Sequence, residues 1–365
     1  MVTPATWRGR RVFITGHTGF KGSWLALWLA EMGAEVTGFA LRPPTEPSLF
    51  EQARLNELVT DIYGDVRDLA ALEAALDGAQ PEIVFHLAAQ PLVRYSYDHP
   101  VETYATNVMG TVHLLDACRR VESVRGVVCI TSDKCYDNRE WVWPYRENDP
   151  MGGYDPYSSS KGAAELVIAA YRQSYFATGP AITSVRAGNV IGGGDWASDR
   201  LVPDIIRALM AGERPQIRAP QAVRPWQHVL EALNGYLLIA ERLLAGERSF
   251  ADAWNFGPSS DDVRPVSWIV EQMITAWSAD AGRAGWNNQS TDHRHEAHLL
   301  ALDCAKARAA LGWRPVLRLE QALSMIVDWH RDCANKGDAR ATTLSQISAY
   351  QAELVRHKGN RDGHQ

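Results

Sequence analysis

The sequence predicts an α/β fold: a doubly wound parallel sheet followed by a smaller C-terminal part. Three observations predict it. Short apolar runs alternate with longer amphipathic stretches through the first half of the 365 residues. A glycine-rich turn, GHTGFKG, stands between the first apolar run and the first helix-like stretch. After about Asn189 the alternation loosens into segments rich in Gly, Pro and Arg.

Taken in order, RVFIT (Arg11 to Thr15) reads as a strand. Phe20 to Met32 reads as a helix with Phe20, Trp24, Leu25 and Trp28 on one face. EVTGFAL (Glu35 to Leu41) and VTDIYGD (Val59 to Asp65) are the next strands, and Leu69 to Leu76 is helical. EIVFHLA (Glu82 to Ala88) is a fourth strand, followed by a long amphipathic helix over Val101 to Arg120. GVVCITS, beginning at Gly126, is a fifth strand. Tyr157 to Tyr175 is a helix and AITSVRA (Ala181 to Ala187) a sixth strand. Such alternation implies βαβ units with right-handed crossovers, and ligands bound beyond the carboxyl ends of the strands.

The composition narrows the class. A net charge of -6 gives no basic footprint, so nucleic acid is not an expected partner. No apolar run is long enough to span a bilayer, and the N-terminal apolar stretch is too short for a signal peptide. Five scattered cysteines with no CxxC pair suit reduced thiols and a cytoplasmic protein. Of the 13 tryptophans, Trp141, Trp143, Trp196 and Trp226 lie in polar loops where they can line a pocket. The polar end, His357 to Gln365, reads as a frayed tail.

GHTGFKG carries Gly16, Gly19 and Gly22 from a strand into a helix. Glycines there permit a tight turn and close approach of a pyrophosphate, which the helix N-terminus favours. With Thr18 and Phe20, these are the expected dinucleotide contacts of a Rossmann-type fold. The spacing is GxxGxxG, and Lys21 precedes the last glycine, so it is not a P-loop. Arg42 stands where an NAD enzyme often has an acid, so NAD and NADP are both open on this feature. Asp65 and Val66 are candidate adenine contacts, with Asp65 alternatively a helix N-cap. Leu87, Ala88, Ala89 and Gln90 follow the fourth strand and are expected along the cofactor, and Thr131 at the end of the fifth strand is expected to line its pocket.

Two further groups suggest chemistry. Tyr157 and Lys161 form a YxxxK pair that a helix places on one face. A phenol near pKa 10 becomes a usable base when a cation favours the phenolate. Upstream, Ser132, Asp133 and Lys134 close a buried-strand pattern with adjacent opposite charges, an unusual ending unless it serves as an acid and a base at the mouth of the sheet.

With GHTGFKG, HLAAQ (86–90), NVMGT (107–111), TSDKCY and YSSSK in this order, the chain resembles the extended short-chain dehydrogenases/reductases over nearly its whole length. Within them it resembles the nucleotide-sugar 4,6-dehydratases, and specifically their CDP-glucose branch. The residues that carry this are SDK at 132–134, PTEPSLFE at 44–51, RAGNVIGGGDW at 186–196, RPWQHV at 224–229 and HEAHLLALD at 295–303. The dTDP-glucose branch has Thr-Asp-Glu where this chain has Ser-Asp-Lys.

The resemblance implies a lyase that binds a nucleotide sugar and recycles NAD. It implies Tyr157 as base toward the sugar 4-hydroxyl with Ser132 and Lys161, Asp133 as acid, Lys134 as base, and Asn107 as a helix-kink residue that helps place Lys161. Arg224 suits the diphosphate. Asn189, Asp195, Arg200, Arg218, Gln227, His295 and Glu296 are further substrate candidates. HEAH is one residue short of HExxH, so no metal is expected. The implied organisation is an NAD-binding part over 1–188 with about 226–258 returning to it. A substrate-binding part covers about 189–225 and 259–345, and 346–365 is a C-terminal tail. The helices 101–120 and 157–175 resemble a pair that builds a homodimer, or a homotetramer of dimers. A 4-epimerase, a GDP- or dTDP-sugar dehydratase and a non-catalytic dinucleotide sensor are the competing readings.

Overall fold

A computed structural model describes residues 1–277, 285–289 and 299–362. Seven strands form its sheet: β1 (Arg11–Thr15), β2 (Glu35–Ala40), β3 (Thr60–Tyr63), β4 (Ile83–His86), β5 (Gly126–Ile130), β6 (Ala181–Ala187) and β7 (Ala253–Phe256). Their order is β7-β6-β5-β4-β1-β2-β3. Every neighbouring pair is parallel. The order reverses between β1 and β4, which opens a crevice above their carboxyl ends.

Alternation along the strands feeds two cores. Val12 and Ile14 of β1 join Phe85, Val128 and Ile130 on one face. They pack there with α1 (Phe20–Glu31), whose Trp24 and Trp28 are fully buried. On the other face, Phe13, Phe39, Val84, Val127 and Cys129 share a core with Leu72 and Leu76 of α2 (Leu69–Ala79) and Leu114 and Leu115 of α3 (Gly110–Cys118). Ile168 of α4 (Pro156–Ser174) joins that second core. Buried on both faces, β4 and β5 read as apolar runs rather than as alternating patterns, whereas the edge strand β3 is only partly covered.

A third apolar cluster lies apart from the sheet. It joins Ile205 and Ile206 of α5 (Leu201–Met210), Ile269 and Met273 of α7 (Val266–Trp277), and Leu323 and Ile326 of α8 (Leu319–Lys336). This is the smaller unit of the fold. Between α5 and α7 the chain returns to the sheet through α6 (Val229–Leu244) and β7. Trp226 is buried in the third cluster, whereas Trp141 and Trp143 stack edge-on at the surface.

Two expectations are corrected. Residues 101–120 are not one uniform α-helix: Ala105–Met109 is a π-turn between Pro100–Tyr104 and α3. Residues 346–362 are not a tail but the continuation of α9 (Ala339–Asp362). Ile347 and Tyr350 of α9 are buried, and the Tyr350 ring meets Trp28 edge-on at 6.1 Å. That burial is tertiary and leaves little periodicity in the sequence.

Candidate active site

The glycine turn is held by its own sterics. Gly16 has φ +77°, and a Cβ there would lie 2.7 Å from the Ala88 amide nitrogen. A Cβ on Gly22 would lie 2.1 Å from the Gly16 carbonyl oxygen, so only glycine lets α1 start this close to β1. Gly19 has ordinary room and serves as the extended residue before the helix, with Phe20 as its first residue. The Thr18 hydroxyl donates to the Leu41 carbonyl at 2.9 Å, tying the turn to the end of β2. Across the crevice the Thr15 hydroxyl meets His86 Nδ1 at 2.7 Å, and the Ala88 amide donates to the Thr15 hydroxyl oxygen at 3.2 Å. Burial drives the His86 imidazole down to about 3, so it is neutral. Leu87, Ala88 and Ala89 are half-buried along this edge.

At the far end of the crevice, Asp65 accepts from the Arg67 guanidinium at 2.6 Å, and that hydrogen bond holds its carboxyl below the ordinary range. Asp65 is not the helix cap: Asp68 accepts from the Ala71 amide and caps α2. Val66 is buried, and a Cβ on Gly110 would lie 2.8 Å from it. The Arg42 guanidinium rests 4.7 Å from the centre of the Tyr63 ring.

The π-turn explains Asn107. Its side chain accepts from the Gln90 amide at 2.8 Å and donates to the Gln90 carbonyl at 3.1 Å and to Ser160 Oγ at 2.8 Å. One buried residue thus joins the segment after β4 to the helix turn before Lys161. Single π-turns are enriched at such functional positions.

Ser132 caps a one-turn helix over Asp133–Cys135, its oxygen accepting from the Lys134 amide at 3.2 Å and its hydroxyl donating to Asp133 Oδ1 at 2.9 Å. Asp133 is 2% exposed. Burial raises its carboxyl above the ordinary range, against the opposing pull of Lys134, Ser132 and Arg224. Tyr157 and Lys161 are both buried on one face of α4. Burial pushes the Tyr157 phenol up to about 12, while its hydrogen bond to Ser132 and the charge of Arg200 pull it back. Burial brings Lys161 down to about 8, with Glu165 acting the other way. The cation prominent at the phenol is therefore Arg200, a role the YxxxK spacing does not reveal.

Beneath these groups lies a buried anchor. Glu165 accepts from the Thr131 hydroxyl, from Ser184 at 2.7 Å and from Arg186 at 2.7 Å. Burial alone would raise this carboxyl, but Arg186 and the hydroxyls outweigh it and hold Glu165 below its ordinary range. The Thr131 side chain is thus turned toward α4.

The structure gathers most of the candidates from the second half. Asp195 accepts from Arg200 at 2.9 Å, and Arg200 acts on Tyr157. Arg224 sits in a short antiparallel ladder opposite Arg264, and its charge reaches Asp133. Gln227 ties its amide nitrogen to the Phe256 carbonyl at 2.8 Å, and its backbone amide donates to the Asn189 carbonyl at 3.1 Å. Arg218 is not part of this group. It pairs with Asp199 at 3.1 Å, and its charge is felt by Asp204 of α5. His295 and Glu296 lie outside the described residues. Among the described residues no cluster of three or more metal-ligating side chains occurs.

Two residues were missed. Half-buried Lys21 is pushed down to about 7, first by burial and then by Lys161 and Arg200, and it feels Asp133. A lysine on an otherwise apolar first turn was the available signal. His17 is fully buried, with Nε2 2.7 Å from Asp61 Oδ1.

A model of the GDP-mannose 4,6-dehydratase family matches residues 13–326. The CDP-glucose 4,6-dehydratase of Salmonella typhimurium is 54% identical over 98% of this chain and 100% of its own length. A solved dTDP-glucose 4,6-dehydratase from Bacillus anthracis in complex with NAD superposes with a TM-score of 0.74 at 20% identity, over 88% of this chain and 97% of its own. A UDP-glucose 4-epimerase from Thermotoga maritima gives 0.75 at 22% identity, over 88% and 99%. The two solved structures share the fold.

Proposed function

The chain belongs to the GDP-mannose 4,6-dehydratase family, and from that premise we propose that it is the enzyme that converts CDP-glucose to CDP-4-dehydro-6-deoxyglucose and water. The observation that carries the substrate is the 54% identity, end to end, with a CDP-glucose 4,6-dehydratase. The Ser132-Asp133-Lys134 triplet supports it locally.

NAD is the cofactor. The cradle fits it: two glycines that tolerate no Cβ, a helix N-terminus and a line of half-buried backbone after β4. Gly16, Thr18, Gly19, Phe20 and Gly22 would hold the pyrophosphate side, Asp65 and Val66 the adenine, and Leu87 to Gln90 the intervening backbone. Bound NAD supplies a hydride acceptor for C4 and a donor for C6.

In this reading Tyr157 accepts the proton of the sugar 4-hydroxyl, with Ser132 as its hydrogen-bond partner and Arg200 and Lys161 steadying the developing phenolate. The ketone formed at C4 acidifies the C5 proton. Lys134 takes that proton, and Asp133 gives its own to the departing 6-hydroxyl, which leaves as water. Burial of Asp133 suits an acid that must keep its proton near neutrality. Arg224 is assigned to the diphosphate, and Asn189, Asp195 and Gln227 to the sugar and nucleotide.

Two coarser assignments complete the proposal. The protein works as a homodimer or a tetramer of dimers, supported by Val101, Met109 and Leu166 standing exposed on the helices around α3 and α4. It is cytoplasmic, in keeping with five unpaired cysteines.

The test is a mass-spectrometric assay with NAD and four substrates: CDP-glucose, dTDP-glucose, GDP-mannose and UDP-glucose. The expected result is loss of one water from CDP-glucose with no net NADH. An isomer of unchanged mass would assign a 4-epimerase instead, and turnover of another substrate would reassign the base.

A further inference from the structure

The chain leaving β6 lies against the carboxyl assigned above as the acid. On one side of that carboxyl, the Ser132 hydroxyl donates to Asp133 Oδ1 at 2.9 Å, while the Ser132 oxygen accepts from the Lys134 amide at 3.2 Å. The other oxygen, Oδ2, faces Gly188, the residue that follows β6. A Cβ on Gly188 would lie 3.0 Å from Asp133 Oδ2, 2.9 Å from Pro225 Cγ and 3.2 Å from the Pro225 carbonyl oxygen. Pro225 is buried and held opposite Val263 in the short antiparallel ladder. Gly188, Pro225 and Asp133 thus close on a space that has no room for a side chain.

This makes the two oxygens of Asp133 unlike. Oδ1 is met by a donor, which suits the carbonyl oxygen of a neutral carboxylic acid. Among the described residues no side chain donates to Oδ2, yet Oδ2 is not one of the sealed polar atoms that lack a partner. It keeps an opening beside Gly188 and the proline ring, and burial of the residue favours its protonated form. The proton therefore belongs on Oδ2, the oxygen that Gly188 leaves room for. A methyl at 188 would crowd that oxygen, and the carboxyl would have to give by a few tenths of an ångström. Asp133 is buried and tied to Ser132, so it can give only by straining that bond.

Resting on the dehydratase reading above, we infer that Gly188 is a positioning residue for Asp133: its missing side chain leaves the room in which Oδ2 carries the proton and delivers it to the departing 6-hydroxyl. In that step the C5–H bond breaks toward Lys134, and its electron pair forms the C5=C6 bond. The C6–O bond breaks as its oxygen takes the proton from Oδ2 and departs as water, and Asp133 is left as a carboxylate. Gly188 gains and loses no atom, and it has no part in the oxidation at C4.

The test is Gly188→Ala in the full-length protein with NAD and CDP-glucose. Single-turnover absorbance at the reduced-nicotinamide band is followed beside water loss by mass spectrometry. The expected result is elimination slowed about 10-fold, since a misplacement of about 1 Å costs roughly 100-fold and the shift here is smaller. C4 oxidation should be unchanged, so reduced cofactor rises to a larger transient. In an Asp133→Asn background the same substitution should change little, because the group it acts through is gone. Adding Pro225→Ala to Gly188→Ala removes the ring carbon 2.9 Å away and keeps the methyl against Oδ2. This less crowded double variant should stall in the same way, and it reads the same quantity if the single variant is too unstable to assay. Wild-type elimination in either folded variant would overturn the inference alone. So would oxidation and elimination slowed equally, an equal effect in the Asp133→Asn background, or relief of the stall by Pro225→Ala. Wild-type protein that dehydrates no nucleotide sugar would instead overturn the reading on which the inference rests.

Discussion

At the scale of single residues, the site is a set of ionisable groups driven from their ordinary values by burial. Tyr157 is pushed up to about 12 and Lys161 is brought down to about 8, so the phenol is not poised at neutral pH by itself. The Ser132 contact and the Arg200 charge oppose that rise, and in the proposed mechanism they make the phenol usable. Tyr157→Phe should therefore lower kcat by roughly 100-fold or more, with CDP-glucose binding retained, as isothermal calorimetry would show. Asp133→Asn should retain C4 oxidation and stall elimination, read as reduced cofactor accumulating while water loss falls by about the same factor. Because the Asp133 carboxyl titrates above its ordinary range, kcat should decline as pH rises through that raised value, and Asp133→Asn should abolish this limb. The residues proposed for these steps are legible in the sequence as SDK and YxxxK. Lys21 is legible only as a lysine on the first turn of a largely apolar helix; which charges it feels is decided by the fold.

At the scale of elements, steric necessity is read most easily in the glycine turn. Gly22→Ala would set a methyl 2.1 Å from the Gly16 carbonyl oxygen, and neither backbone can yield without moving α1 from β1. The expected outcome is a loss of about 3 kcal/mol in urea unfolding together with loss of NAD binding by fluorescence titration. Gly19→Ala meets only ordinary contact and should be nearly silent in stability. The sequence announces such features where local chemistry decides. Arg11–Thr15 and Ala181–Ala187 appear at their expected bounds, because β-branched and apolar residues dominate both buried runs. It is silent where partners decide. β7 is four residues, AWNF, too short to separate from a loop. The π-turn at Ala105–Met109 follows from what Asn107 binds across the chain, not from any propensity of ATNVM.

At the scale of the whole molecule, Glu231 of α6 fastens distant parts together. One of its oxygens accepts from the Val316 and Leu317 amides at 2.7 Å each, and the other from the Tyr350 hydroxyl at 2.7 Å. Fully buried, it is driven up to about 7 from 4.5. The folded protein therefore holds this proton more tightly than the unfolded chain does. The stability it contributes is full below about pH 4.5 and is lost as pH rises through about 7, a change on the order of 3 kcal/mol. Urea midpoints of wild type and Glu231→Gln between about pH 5 and about pH 8 should show that slope in the wild type and its absence in the variant. Chains cut before Tyr350 should lose the same pH response. The latch could not be read from the sequence, since a glutamate on a helix is ordinarily solvated and its partners lie more than 80 positions away.

The latch also sets an order in time. Trp28 of α1 is synthesised more than 300 residues ahead of Tyr350, the ring that meets its edge. Glu231 likewise waits for α9 before its second oxygen is met. During synthesis at about 5–20 residues per second, the gap between Trp28 and Tyr350 amounts to some tens of seconds. Through that interval the nascent sheet carries a tryptophan edge that only the arrival of Tyr350 can close over.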